Sequence, residues 1–429
     1  MRVLMFGWEF PPHISGGLGT ACHGLTKGMA HIPELDVIFV VPKAWGDEDQ
    51  STIQLLAAEN FPVRKKSVEM RGFLKEMTFL EIHSRIMPYM SPEEYEKIDK
   101  KRHSGSSIYF NTELIGKLKF TGKYGPDLFQ EIANYALIAG VIAEDLSFDI
   151  IHAHDWLAYP AGIAAKEASG KPLVIHVHAT DFDRSGGSVN PAVFEIERRG
   201  MEIADKIIAV SNLTRRTIIE KYGIDPSRVV TVYNAVEPSR LMDDLKFRKK
   251  GNDKIVTFLG RITMQKGPEY FIEAANKVLK KSSNVRFVMA GSGDMFPRMI
   301  KHAARLGITD KFHFTGFLKG PDVHQMFLMS DLYVMPSVSE PFGISPLEAM
   351  QSNVPVIISH QSGVSEILKH AIKIDFWDID AMADAIYGIL HYGALSEMFK
   401  KYGKSEVANL KWETSALLVK EIYDEVLCQ

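Results

Sequence analysis

The chain has 429 residues, of which 46% are hydrophobic and 24% charged, with a formal net charge of -3 at pH 7; this is an ordinary mixture with material for two cores of about 200 residues each. So small a net charge gives no overall field for gripping nucleic acid, and any phosphate must be held by local sites. The two cysteines, Cys22 and Cys428, stand far apart and in no metal or redox spacing, which excludes a disulfide scaffold and fits a reducing compartment.

The first apolar run, Val3–Phe6, is short and meets Gly7 and the Pro11-Pro12 pair; it reads as a buried strand, not a signal peptide. No apolar run approaches the roughly 18–20 residues that span a bilayer, so no integral membrane segment and a cytoplasmic location are expected. Further strands are predicted at Val37–Val41, Ile150–Ile151, Leu173–Val177, Lys206–Val210 and Val229–Val232. A second series is predicted at Ile255–Leu259, Val285–Ala290, Phe312–Phe314, Leu332–Met335 and Pro355–Ile358. Several lack alternation, as strands covered on both faces do. Helix-period segments such as Phe129–Ala143, Pro191–Ile203 and Glu269–Leu279 lie between them, and this alternation implies parallel sheets with crossover helices.

The polar, charged stretch near 236–254 reads as a linker. It divides the chain into an N-terminal Rossmann-like domain, 1–240, and a second domain, 253–412, with a terminal helix at 413–429. Residues 64–127 break the alternation and read as an insertion in the first domain. Within it, Tyr95–His103 is a basic, helix-compatible piece, expected to be a solvated excursion before an acceptor contact.

Four motifs fall at strand ends, where ligands of parallel sheets bind. After the first strand comes Trp8-Glu9-Phe10-Pro11-Pro12-His13-Ile14-Ser15-Gly16-Gly17-Leu18-Gly19. Its glycines let backbone approach a ligand, and the following helix offers free N–H groups to phosphate; packing alone is the other reading. The second domain opens with Gly260-Arg261-Ile262-Thr263-Met264-Gln265-Lys266-Gly267, whose two cations are placed to clamp a diphosphate or to lie as surface charges. In Glu340-Pro341-Phe342-Gly343-Ile344-Ser345-Pro346-Leu347-Glu348, Pro and Gly force a turn before a helix. Its two carboxylates suit sugar hydroxyls or a positive anomeric carbon, or else a cap and a surface charge. Last come His152-Ala153-His154-Asp155-Trp156 and His176-Val177-His178-Ala179-Thr180-Asp181. A zinc reading is disfavoured, because both pairs sit where strands give way to loops and no cysteine is expected nearby to complete a structural site. One histidine of each pair is expected buried and the other facing a cleft.

Together these residues resemble the retaining glycosyltransferases of the glycogen/starch synthase type, which includes sucrose-phosphate-synthase-like enzymes. The similarity covers nearly the whole chain and is strongest at Gly260–Gly267, Gly291-Ser292-Gly293, Phe314-Thr315-Gly316 and Ser339–Glu348, with Ser211-Asn212 and Tyr233–Val236 also matching. It implies an α/β GT-B fold of two Rossmann-like domains facing a central cleft, with the terminal helix crossing back to the first domain. It further implies that Arg261 and Lys266 hold the donor diphosphate, Glu348 the ribose and Glu340 the transferred sugar. His178 would bond the sugar 6-hydroxyl, and Asp155 and Trp156 would lie on the acceptor side. Gly16, Gly17, Gly291, Gly316, Phe342, Gly343 and Ile344 would complete the donor site. Synthases using ADP-glucose carry Lys-Thr-Gly-Gly-Leu at the first glycine loop; this chain has Ile14-Ser15-Gly16-Gly17-Leu18, without that lysine, which sets it nearer the broader hexosyltransferase group.

The expected reaction is transfer of a hexosyl unit, glucose first among candidates, from UDP- or ADP-glucose to a carbohydrate, with an α-glucan first among acceptors. The mechanism is same-face substitution with retention, or a double displacement through Glu340. No cofactor and no essential metal are expected, since two cations fill that role and no paired Asp motif exists. A homo-oligomer is allowed. Glycosylation of a membrane lipid or other glycoconjugate is the alternative within transferases, with Lys100–His103 as the surface for it. A sugar-nucleotide epimerase and a non-catalytic carbohydrate-binding protein are the alternatives of other classes. A dehydrogenase is disfavoured by the missing G-x-G-x-x-G turn.

Overall fold

The computed structural model describes residues 1–14, 16–63, 116–237 and 251–428. They form two compact units: the first holds the described residues up to Asn234 and those from Trp412 onward, and the second runs from Ala235 to Lys411. The basic piece Tyr95–His103, most of the expected insertion and most of the charged linker stretch lie outside the described residues.

The first unit runs β1 (Arg2–Phe6), α1 (Gly17–Met29), β2 (Asp36–Val41), β3 (Gln54–Ala57), β4 (Pro62–Val63), β5 (Gly116–Lys117) and α2 (Leu128–Asp145). It continues with β6 (Ile150–His154), α3 (Asp155–Ser169), β7 (Leu173–Val177), α4 (Asp181–Ser185), α5 (Pro191–Ile203), β8 (Lys206–Ala209), α6 (Asn212–Tyr222) and β9 (Val229–Thr231). Its main sheet is parallel, in the order β3-β2-β1-β6-β7-β8-β9. Helices cover it, so Val3, Leu4, Met5 and Phe6 are all fully buried and the strand needs no polar face.

The second unit holds β10 (Lys254–Leu259), α7 (Pro268–Leu279), β11 (Val285–Ala290), α8 (Phe296–Arg305), β12 (Phe312–Gly316) and α9 (Pro321–Met329). β13 (Leu332–Met335), α10 (Ser345–Gln351), β14 (Val356–Ser359), β15 (Ile372–Ile374), α11 (Ile379–His391) and α12 (Gly393–Val407) follow. Its sheet is parallel in the order β12-β11-β10-β13-β14-β15, around a core that includes Phe258, Phe271, Phe287 and Phe312. The chain then returns to the first unit as α13 (Trp412–Leu427).

In both sheets the strand order reverses once, between β1 and β6 and between β10 and β13. In parallel sheets it is at such reversals, beyond the strand ends, that ligands bind. These strand ends and the loops after them carry the first three sequence motifs and the His152–Trp156 half of the fourth, whose second half follows β7.

All the predicted strands are present, and β6 runs past Ile151 to His154. The short edge strands β3 and β15 were not predicted. No helix among the described residues is long and apolar enough to cross a membrane.

α13 packs on α1 across two glycines. A Cβ on Gly24 would fall 2.2 Å from the Trp412 indole, and one on Gly28 would fall 2.5 Å from the Trp412 carbonyl oxygen. The Ser415 hydroxyl donates to the Tyr233 carbonyl at 2.7 Å, and Lys206 pairs with Glu425 at 2.5 Å. Gly28→Val is expected to cost about 1–3 kcal/mol by overpacking, lowering the thermal midpoint by roughly 2–4 °C per kcal/mol. Calorimetry checks this, and an unchanged midpoint would contradict the tight seating of α13 on α1.

Candidate active site

In the second unit the site is built where β10 and β13 part. Gly260 follows the end of β10, and a 3-10 turn at Met264–Lys266 leads through Gly267 into α7. Gly267 has φ 64°, and a Cβ there would fall 2.1 Å from the Pro336 carbonyl oxygen, so only glycine lets this turn press against the loop after β13. The Val338 amide donates to the Gln265 carbonyl at 2.8 Å. That seam brings the Lys266 ammonium onto the Glu340 carboxylate, which also accepts from the Ser337 hydroxyl at 3.3 Å. Lys266 keeps about a quarter of its side chain exposed and Glu340 is buried (24% and 9%).

Arg261, on the same loop as Lys266, is half-buried. Burial raises the Asp294 carboxyl above its ordinary range, and the Arg261 charge pulls it back, which places the guanidinium near the Gly291–Asp294 loop. Gly291 permits that loop to close on β10: a Cβ there would fall 1.8 Å from the Gly260 carbonyl oxygen. The Gly291 amide donates to the Gly316 carbonyl at 2.8 Å, so the three strand-end glycines, Gly260, Gly291 and Gly316, adjoin.

The loop of the third motif is tied down by backbone bonds. The Glu340 amide donates to the Gln361 carbonyl at 2.9 Å and the Val364 amide to the Phe342 carbonyl at 2.8 Å. Phe342 is buried, while Gly343 and Ile344 are half-buried ahead of α10. Glu348 sits in the first turn of α10, half-buried, and burial alone pushes its carboxyl up to about 7. Such a group changes charge near neutrality, a common property of working carboxylates.

In the first unit the corresponding place lies between β1 and β6. Gly16 and Gly17 lead into α1, with open space where a Cβ would stand on either. The carboxylate of Glu9 accepts from the Gly19 amide at 3.3 Å and from the Tyr124 hydroxyl at 3.2 Å. Asp155, at the start of α3, is buried, with φ 58°, an uncommon conformation outside glycine. It accepts from the amides of His178 at 2.8 Å and Ala179 at 3.2 Å and pairs with Arg184 at 3.2 Å. Trp156 is buried and its ring meets Phe129 at a 5.7 Å centroid distance.

The four histidines form one array. Centroids of neighbouring rings lie 4.3–5.4 Å apart. His152, His154 and His176 are buried, and His178 is half-buried. The first pair therefore departs from the expectation of one buried ring and one cleft-facing ring. β6 stays extended through His154, so side chains two residues apart share a face. Tyr423 of α13 hydrogen-bonds His152 Nδ1, and His154 Nδ1 meets His178 Nε2 at 3.0 Å. Burial, then the neighbouring imidazoles, pushes His152, His154 and His176 well below the usual histidine range; burial also lowers His178, against the pull of Asp155. Contrary to the expectation that no cysteine lies nearby, the Cys22 thiol comes within 4.8 Å of ring nitrogens of His154 and His178, because α1 packs its Cys22 against the ends of β6 and β7. Ring nitrogens of His152, His154 and His176 also come within 4.8 Å of one another, yet the planes of these three rings lie within 10–25° of parallel. An imidazole holds a metal in its own plane, so three such rings would place three bonds in one plane, unlike a tetrahedral site.

Residues 114–240 match Glycosyltransferase Family 4 and residues 242–406 match Glycosyl transferases group 1. An uncharacterized glycosyltransferase of Methanocaldococcus jannaschii is 27% identical over 435 residues, covering 95% of this chain and 96% of its own. A glycogen synthase of Mycobacterium tuberculosis is 23% identical over 433 residues, covering 99% and 94%. The chain is a glycosyltransferase of GT-B fold, with segments matching these two glycosyltransferase families. The fold of the sucrose-phosphate synthase from Thermosynechococcus elongatus matches this glycosyltransferase with a TM-score of 0.70 at 16% identity, over 100% of this chain and 99% of that one. Sequence reasoning missed several residues that organise the transferase's motifs: Glu9, Arg184, Glu197, Asp294 and Ser337. Arg184 was legible only as a charge following Thr180-Asp181, with no spacing rule to tie it to Asp155.

The histidine array makes stability of the transferase pH-dependent. These groups have folded pKa values below the unfolded one near 6.5, so their contribution is fully present above that pH and is lost as pH falls below it. Each histidine kept neutral costs about 1.4 kcal/mol per pH unit there. Thermal midpoints between pH 7.5 and 5 are expected to fall on acidification, and less steeply in His152→Phe. A flat wild-type profile would show that the array accepts protons without cost.

Proposed function

We propose that the enzyme transfers a glucosyl unit from a nucleoside diphosphate glucose to an α-glucan with retention of configuration. The observation that carries this is the Lys266–Glu340 ion pair at the point where β10 and β13 part, with Arg261 on the same loop after β10. Two cations and a carboxylate there match the charges that develop when a glycosyl phosphate bond breaks: negative on the departing diphosphate, positive at the anomeric carbon.

In this reading Lys266 and Arg261 bind the diphosphate. Glu340 orients the Lys266 ammonium and contacts the transferred sugar, and Glu348 accepts the ribose hydroxyls. Gly16, Gly17, Gly291, Gly316, Phe342, Gly343 and Ile344 line the donor, His178 bonds the sugar 6-hydroxyl, and Asp155 and Trp156 support the acceptor side. The bond from the anomeric carbon to the phosphate oxygen breaks, its electron pair passing to the diphosphate. The acceptor hydroxyl oxygen bonds the same face of that carbon, and its proton goes to the departing phosphate oxygen. The positive charges are fixed before reaction, and one well-placed donor of this kind is worth roughly 3–4 kcal/mol in the transition state. With two cations supplied by the chain, the step uses no metal ion.

A panel of UDP-, ADP- and GDP-sugars, with and without α-glucan, tests the reading. Elongation of the glucan from one glucosyl donor is expected; release of an epimerised sugar without acceptor would replace transfer by epimerisation. Arg261→Ala and Lys266→Ala should each lower kcat roughly a hundredfold or more, and normal turnover in both would remove the diphosphate clamp. A glycosyl-enzyme trapped on Glu340 would replace same-face substitution by double displacement. Because burial raises Glu348 to about 7, donor binding measured by calorimetry should tighten from pH 6 to 8 as the carboxylate ionises. Glu348→Gln should flatten that profile.

A further inference from the structure

Beyond the residues assigned to the reaction, Arg184 occupies an unusual place. Its guanidinium is buried between two carboxylates, Asp155 at 3.2 Å and Glu197 at 3.0 Å, all three side chains being at most 6% exposed. It also donates to the Ala179 carbonyl at 2.9 Å. Asp155 in turn accepts from the amides of His178 and Ala179. The peptide at 178–179 is thereby held from both sides: its N–H groups by Asp155, its carbonyl by Arg184, and the two holders by each other.

The holders are themselves fixed. Glu197, on α5, accepts from the Tyr222 hydroxyl and from the Asp181 amide at 3.1 Å. Burial pushes its carboxyl up to about 7 against the pull of Arg184. Asp181 accepts from the Asn190 amide at 2.5 Å, and Asp183 from the Thr180 amide and hydroxyl, each at 2.8 Å. The loop from Val177 to α4 thus has every turn anchored. Asp155 has φ 58°, a strain that persists only where surrounding contacts over-determine it.

A buried arginine between two acids is costly to assemble and is weak evidence for stability. A planar fork with several donors is, however, what one group needs to bind two carboxylates and a carbonyl at once. We infer that Arg184 is a positioning residue: it locks Asp155 onto the 178–179 peptide and so sets where the His178 imidazole stands. This rests on the reading in which His178 contacts the transferred sugar. It also makes Asp155 an anchor of backbone, with both carboxylate oxygens already engaged.

Arg184→Lys keeps the charge and loses the fork; Arg184→Met loses both. Displacing a reacting contact by about 1 Å can cost roughly a hundredfold in rate. Arg184→Lys is therefore expected to lower kcat between tenfold and a hundredfold, with donor KM within about threefold, assayed well below its thermal midpoint. In 15N-histidine spectra the His178 ring resonances should move, while those of His13 and His360, outside the network, stay in place. A purely structural arginine would lower the midpoint and leave kcat and the His178 signals of the folded protein unchanged, which overturns the inference. If Arg184→Met does not fold, Arg184→Lys alone decides. His178→Ala separates the two levels. Full turnover in that variant removes the underlying role of His178. A dead His178→Ala beside a fully active Arg184→Lys removes the positioning role alone.

Discussion

A parallel sheet can expose a binding crevice only where its strand order reverses, because there the neighbouring crossovers depart to opposite sides. Both units of this chain reverse once, and Gly16, Gly17, Asp155, Arg261, Lys266 and Glu340 lie beyond the strand ends at those two points. In the second unit the consequence is a contact between residues 74 apart in sequence, Lys266 and Glu340. It depends on the Gly267 turn being pressed to the loop after β13.

The two units handle buried polarity in opposite ways. The second leaves its cations partly open, Lys266 and Arg261 being half-buried, which suits groups that must meet an incoming anion. The first places its polar atoms deep in the sheet. Desolvation pushes four imidazoles toward their neutral form, and a guanidinium is balanced by two acids, one of which burial pushes up to about 7. Groups of this second kind cannot easily be rearranged, since a buried charge that loses its partner retains its full desolvation cost.

The sequence was most readable where local pattern and tertiary setting agree. Strands such as Val3–Phe6 and Leu173–Val177 are apolar throughout because both faces are covered, and their limits could be read directly. β15, with three residues on an edge, carries too little pattern to be told from a loop. The diphosphate-clamp residues were legible as types at strand ends, but the pairing of Lys266 with Glu340 was not, since it follows from the β10–β13 neighbourhood. The histidines show the reverse error. Assuming that the strand ended before His154 predicted divergent rings, whereas one further extended turn of backbone aligned them. Arg184 and Glu197 were silent because a charged residue on a helix ordinarily faces water, and only the packed structure reveals that these two do not.

The return of α13 has a consequence for how the protein is made. Among the described residues the second unit is one continuous stretch within Ala235–Lys411, set within the run of the first, so it can close its own core as it leaves the ribosome. The first unit begins earlier and finishes later, because Trp412, Ser415 and Tyr423 reach it only after all of the second has been synthesised. Until then the α1 glycine groove and the His152 end of the histidine array stand without their cover. Order of synthesis and order of completion therefore run in opposite directions along this chain.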